Sequence, residues 1–139
     1  MVTIVVGALV EPSGRFFASH DEYSALEVNL LNSPELVVFK HITVSGDTSI
    51  ISNTQSFMRT RVVFQNCTLS GNLQVSSISK NINIEGEGNG FFFYGTTITG
   101  NGDILVGTLQ LRDGAHLVFD HVSVNMRVEA SLLSISKLK

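Results

Sequence analysis

Apolar and polar residues alternate in short runs from Leu36 onward, and Gly, Asn, Asp and Ser interrupt the runs. Such alternation places successive side chains on opposite faces of a strand. After Phe64, for example, the positions three and five residues later hold Cys67 and Leu69, whereas the positions four and six residues later are polar. The pattern therefore predicts short β-strands with one inward and one outward face.

One stretch of about ten residues recurs four times. Its copies cover residues 38–47, 63–72, 92–101 and 118–125, and their anchoring phenylalanines are Phe39, Phe64, Phe93 and Phe119. These phenylalanines are 25, 29 and 26 residues apart, and a period in the twenties indicates stacked supersecondary units. Three short apolar runs per period predict one coil of a parallel β-helix, with the four phenylalanines in one buried column.

The first 33 residues do not carry this repeat. Residues 3–10 are predicted to form a strand, and residues 15–18 a short partner strand. Residues 19–32 are predicted to form a helix, with Ser19 as N-cap, acidic residues in the first turn and Pro34 just beyond its end. We therefore divide the chain into 1–33, an N-terminal strand and capping helix, and 34–139, the repeats.

The sequence Phe-Gln-Asn-Cys-Thr-Leu-Ser-Gly-Asn at 64–72 resembles the repeat of right-handed parallel β-helix proteins, which include polysaccharide lyases, phage tailspikes and bacterial adhesins. The resemblance covers residues 36–139. It implies an all-β fold, a short right-handed single-stranded parallel β-helix of about four to five coils, which the helix at 19–32 would cap. The pattern Val-x-Gly-x-Leu-x-x-Pro-x-Gly at 5–14 is loosely similar to the starts of phage fibre proteins.

An antiparallel β-sandwich is the alternative fold. It would use the hairpin-type dipeptides Asn89-Gly90, Asn101-Gly102 and Asp113-Gly114 as turns. Four in-phase copies of one motif favour the β-helix.

Composition and net charge limit the kinds of molecule that the chain is expected to bind. The chain is 43% hydrophobic and 15% charged, with a net charge of -3, which is typical of a folded domain without attraction to nucleic acid or an anionic membrane. The longest apolar runs are shorter than a membrane span. The first ten residues lack the basic start of a secretory signal, so we expect a virion protein or a cytoplasmic one.

The reactive residue types do not form a recognisable catalytic pattern. His41 and His121 share one repeat position but lie three coils apart, or about 14 Å, too far to share a metal ion. The acidic residues fall mostly in predicted corners, and Cys67 takes a core position of the repeat. Residues 85–90 could be a calcium loop, but a corner insertion is favoured because the ligand spacing is incomplete. We predict a non-enzymatic protein without cofactor or metal.

The apolar surface suggests assembly instead. Phe92 or Tyr94 should face outward, because alternating aromatics cannot all enter the core. The last predicted coil is apolar and lacks a cap. The interface candidates are therefore Phe92, Tyr94, Val128, Leu132, Leu133 and Leu138.

These features predict a structural or interaction module of a larger assembly, in first place a capsid-decorating or tail-associated phage virion protein. Its partners would be copies of itself, with a trimer among the arrangements considered, or a larger protein assembly. Two alternatives stay open, a cytoplasmic self-polymerising scaffold similar to the bactofilins and a glycan-binding or glycan-cleaving fragment of a spike.

Overall fold

The structure, a computed structural model, describes residues 3–5, 15–29, 36–52, 60–77, 81–102, 104 and 108–124. These residues form short strands joined by tight corners. In chain order the strands are β1 (Thr3–Val5), β2 (Arg15–Ser19), β3 (Glu22–Tyr23), β4 (Ala25–Asn29), β5 (Leu36–Lys40), β6 (Thr43–Val44), β7 (Thr48–Ser52), β8 (Arg61–Gln65), β9 (Thr68–Leu69), β10 (Leu73–Ser77), β11 (Asn81–Glu85), β12 (Gly90–Tyr94), β13 (Thr97–Ile98), β14 (Thr108–Arg112), β15 (His116–Asp120) and β16 (Ser123–Val124).

The strands stack in parallel sheets around a common core. The phenylalanine sheet has the order β15-β12-β8-β5-β2, and a second five-stranded sheet has the order β16-β13-β9-β6-β3. The order β1-β4-β7-β10 makes a third sheet, and β11 pairs with β14. Every pairing between described strands is parallel. The fold is thus an all-β parallel solenoid, as predicted, and the alternative of an antiparallel sandwich is wrong; the right-handed sense stays a prediction.

The predicted phenylalanine column is confirmed. Phe39, Phe64, Phe93 and Phe119 are register partners on neighbouring strands of the phenylalanine sheet. None is more than 3% exposed. Their rings stack with successive centroid distances of 4.9, 5.3 and 5.0 Å. The repeat period therefore fixes both the register and the centre of the core.

The predicted capping helix at residues 19–32 is wrong. Residues 15–29 form β2, β3 and β4, the described residues contain no helix, and residues 30–32 lie outside them. Leu26 and Val28 are both buried while Glu27 between them is not, which is the two-residue period of a strand. The strand predicted at 15–18 is present as β2, but it does not partner β1: β2 pairs with β5, and β1 pairs with β4.

Pairing with the next coil explains why this segment is not helical. The backbone N–H of His20 donates to Lys40 O, and that of Leu26 donates to Asp47 O, both at 3.0 Å. β2, β3 and β4 pair with β5, β6 and β7. Tertiary hydrogen bonds of this kind override a weak local preference for helix. Residues 15–29 are therefore one more coil of the solenoid rather than a lid over its end.

Two buried threonines, Thr48 and Thr96, differ in the hydrogen bonding of their side-chain hydroxyls. Thr48 takes the core position that Leu26 and Leu73 hold on neighbouring strands, and its Oγ1 atom has no hydrogen-bond partner among the described residues. Thr96 instead donates to the carbonyl of Phe64 or Tyr94, at 3.2 Å each, and accepts from the N–H of Cys67 at 3.3 Å. A buried polar group without a partner lowers stability, whereas a paired one does not.

The two threonines should respond in opposite ways to the same substitution. Thr48→Val is expected to raise the free energy of unfolding by about 1 kcal/mol, because it removes an unpaired buried hydroxyl at nearly constant volume. Thr96→Val is expected to lower it by about 1–3 kcal/mol, because it leaves the Cys67 N–H without its acceptor. Urea unfolding measures both, and exposed Thr43→Val is the control. A loss of stability in Thr48→Val would contradict this account.

Candidate functional site

The corner after the phenylalanine sheet holds one residue of each coil in the left-handed conformation. His20, His41, Asn66, Gly95 and His121 all have φ between 53° and 58°. Asn and His tolerate this region better than most residues, and Gly has no side chain to oppose it. The N–H of each of the first four donates to the carbonyl one coil further on, at 2.8–3.0 Å. Histidine therefore has a structural reason to recur here.

This corner brings two histidines together that the sequence analysis did not pair. The rings of His20 and His41 stack with centroids 4.8 Å apart and planes inclined by 23°. Nearly parallel rings do not aim their nitrogen lone pairs at one point, so this arrangement does not chelate an ion. Among the described residues, no three His, Cys, Asp or Glu side chains are grouped so as to hold a metal ion. At His121, Nδ1 lies 2.7 Å from Asp120 Oδ1 on the surface.

The next corner carries a ladder of acid and amide side chains. Asp47 Oδ1 accepts from the N–H of Asn72, and Asn72 Oδ1 accepts from the N–H of Asn101, both at 2.9 Å. The ladder borders a groove of about 270 Å³ whose other lining residues are Ser49, Leu73, Gln74 and Gly102. Among the described residues, the groove lining offers amide and hydroxyl groups and one carboxylate, that of Asp47.

Cys67 lies in the core, as its repeat position predicted. Its thiol is buried, 3.4 Å from the carbonyl oxygens of Phe39 and Gln65. Burial raises the pKa of the Cys67 thiol above its ordinary value of 9.0, because the thiolate would lose its water. The thiol is therefore protonated and shielded, which is the opposite of a reactive cysteine.

The thiol gives the fold a dependence on pH. The unfolded chain loses the Cys67 proton near 9.0 and the folded chain only above it, so the free energy of unfolding should fall as pH rises past 9.0. Tyr23, whose pKa burial raises above 10.0, should extend this fall. In Cys67→Ala, the free energy of unfolding should fall less steeply with pH just above pH 9.0 than it does in the unaltered chain. An unchanged slope, or rapid labelling of the native thiol by a disulfide reagent, would contradict this reading.

The outer face of the phenylalanine sheet carries a second apolar column. Val38, Val63, Phe92 and Val118 are register partners and only 3–8% exposed. The guanidinium carbon of Arg61 lies 4.8 Å from the centroid of the Phe92 ring, while Tyr94 and His116 pack beside that ring. Phe92 therefore points outward, as expected, but its neighbours cover it, and it is not an exposed anchor.

The exposed member of this column is Phe17. It is the register partner of Val38 at the end of the sheet, and 62% of it is exposed. Sequence reasoning missed Phe17 because Ala18 replaces the anchoring phenylalanine in this copy of the repeat. One sequence signal could have revealed this copy of the repeat: His20 stands two residues after Ala18, just as His41 stands two residues after Phe39. Val124, 37% exposed, is the other large apolar residue on the surface of the described part of the chain.

The remaining interface candidates are only partly placed. Tyr94 is half-buried against the outer column. Val128, Leu132, Leu133 and Leu138 lie outside the described residues.

In the turn after β11, the Asn89 side-chain amide donates a hydrogen bond to Glu85 O at 2.9 Å, so this corner is held by a hydrogen bond within itself. No helix in the described ranges is long and apolar enough to cross a membrane.

A scan against protein-family models, a search of curated proteins and a search of solved structures each gave no match.

Proposed function

We propose that the chain is a non-catalytic structural module that docks into a larger assembly. The observation that carries this proposal is Phe17, a large aromatic side chain left exposed at the end of a column whose other members are covered. Side chains of this kind commonly anchor protein interfaces.

The construction of the coils supports a mechanical role. Stacked rings fill the interior, and the polar side chains at the second corner bond to the neighbouring coil. Because the coils are linked in register by side chains as well as by backbone, the solenoid is suited to hold a surface in a fixed position.

The setting that we propose is a phage particle, in which the chain decorates the capsid or belongs to the tail. The low charge and high apolar content of the chain support this setting. Particles purified from the source by gradient sedimentation should carry the chain in fixed stoichiometry. Sedimentation of the whole population as small free protein would contradict the assembly role, and recovery in filaments would favour the polymerising scaffold.

The polar groove favours a second function, glycan binding. Its amide and hydroxyl groups are chemically suited to sugar hydroxyls. A glycan array with the intact chain tests this, with Gln74→Ala as the groove variant and Thr43→Ala as the control on another face. Binding that is unchanged by Gln74→Ala would remove the groove from consideration.

A further inference from the structure

Strand β2 is an edge strand in the part of the chain that the structure describes. It pairs with β5 on one side and ends the order of the phenylalanine sheet. The backbone groups of such an edge can accept another strand, and proteins usually cover or blunt it. Phe17 lies at the middle of this strand, and 62% of its side chain is exposed.

The side chains of β2 are complementary to a second copy of the same strand. In an antiparallel pair centred on Phe17, Phe16 faces Ala18 of the copy and Ala18 faces its Phe16. Both residues are partly buried and pack on the core side, so a large side chain meets a small one twice. On the outer side, Phe17 lies beside Phe17 of the copy, where each ring can cover the other.

We propose that two chains form a two-fold symmetric dimer by antiparallel pairing of their β2 strands, with Phe17 at the centre of the interface. This proposal rests on the proposed assembly role and names its first partner, a second copy of the chain. The same patch is used on both sides, so the contact closes on itself and does not propagate into a filament.

Light scattering on the purified chain tests the dimer directly. The unaltered chain is expected to have twice the mass of one chain, and Phe17→Lys the mass of one. Val124→Lys, which places the same charge at the other exposed apolar residue, should remain dimeric. Matching circular dichroism and thermal unfolding would show that Phe17→Lys is folded. A monomeric unaltered chain, a dimeric Phe17→Lys or continued growth in mass would each overturn the proposal.

A cysteine substitution tests the register independently. Directly opposed residues in antiparallel strands have Cβ atoms about 4.5–5.5 Å apart, close to the reach of a disulfide bond. Phe17→Cys should therefore form a covalent dimer under mild oxidation, whereas Val124→Cys and the unaltered chain, whose Cys67 is buried, should not. A Phe17→Cys chain that is dimeric by light scattering but forms no cross-link would exclude the register centred on Phe17.

The two proposals fail in different ways. Particles that still carry Phe17→Lys would support the assembly role and count against the β2 interface in that assembly. A chain that forms the β2 dimer but sediments free of any particle would support the interface and contradict the assembly role.

Discussion

Replacing Phe64 with alanine is expected to lower the free energy of unfolding by about 3–5 kcal/mol. The side chain is fully buried, and its ring stacks on Phe39 at 4.9 Å and on Phe93 at 5.3 Å. The substitution thus removes a large apolar group and two ring contacts, and the rigid coils on either side cannot readily close the cavity.

Chemical denaturation of Phe64→Ala measures this loss, with Phe64→Leu as the control. Leucine keeps most of the volume but not the stacking, so its cost should be clearly smaller than that of alanine. Phe119→Ala is expected to cost less than Phe64→Ala, because among the described residues Phe119 stacks on Phe93 alone. Equal costs for alanine and leucine would show that the column does not pack as a stack of rings.

Replacing Gly90 with alanine should have a comparably large effect. Gly90 begins β12 with φ of 130°, a conformation that other residues rarely adopt. A Cβ atom there would meet the backbone carbonyl of His116 on the neighbouring coil. The carbonyl belongs to a paired strand and cannot move aside alone, so we expect a loss of about 3 kcal/mol or more.

Gly102→Ala separates the two causes of this loss. Gly102 has φ of 104°, but apart from its two chain neighbours no atom of the described residues lies within 4 Å of a Cβ placed there. Its substitution should therefore cost only the backbone strain, about 1–3 kcal/mol, as measured by urea unfolding. A Gly90→Ala variant no less stable than Gly102→Ala would mean that β12 and β15 do not approach as closely as the structure describes.

The repeat carried enough information to predict the core. The four copies set their phenylalanines in phase, and like-on-like stacking then required the buried column and the inward position of Cys67. The same reasoning failed for residues 15–29, where Ala18 interrupts the phenylalanine series. Without that anchor, Tyr23 and Leu26 suggested a helix, and the alternation of Leu26 and Val28 was overlooked.

The surface was less predictable than the core. Alternation showed that Phe92 faces outward, but its burial depends on Arg61, Tyr94 and His116, two of which come from other coils. In the same way, the exposure of Phe17 depends on the fact that β2 is the last strand in the order of the phenylalanine sheet. Neither property can be obtained from the pattern of a single strand, because both depend on which coils lie next to each other.

Nuclear magnetic resonance of the chain with labelled phenylalanines tests the parallel stacking most directly. Ring contacts should connect Phe39 to Phe64, Phe64 to Phe93 and Phe93 to Phe119, in that order, and backbone contacts should join Val38 to Val63 and Val63 to Phe92 in parallel register. Backbone contacts typical of antiparallel pairing between these strands, or a ring order that skips a coil, would contradict the solenoid.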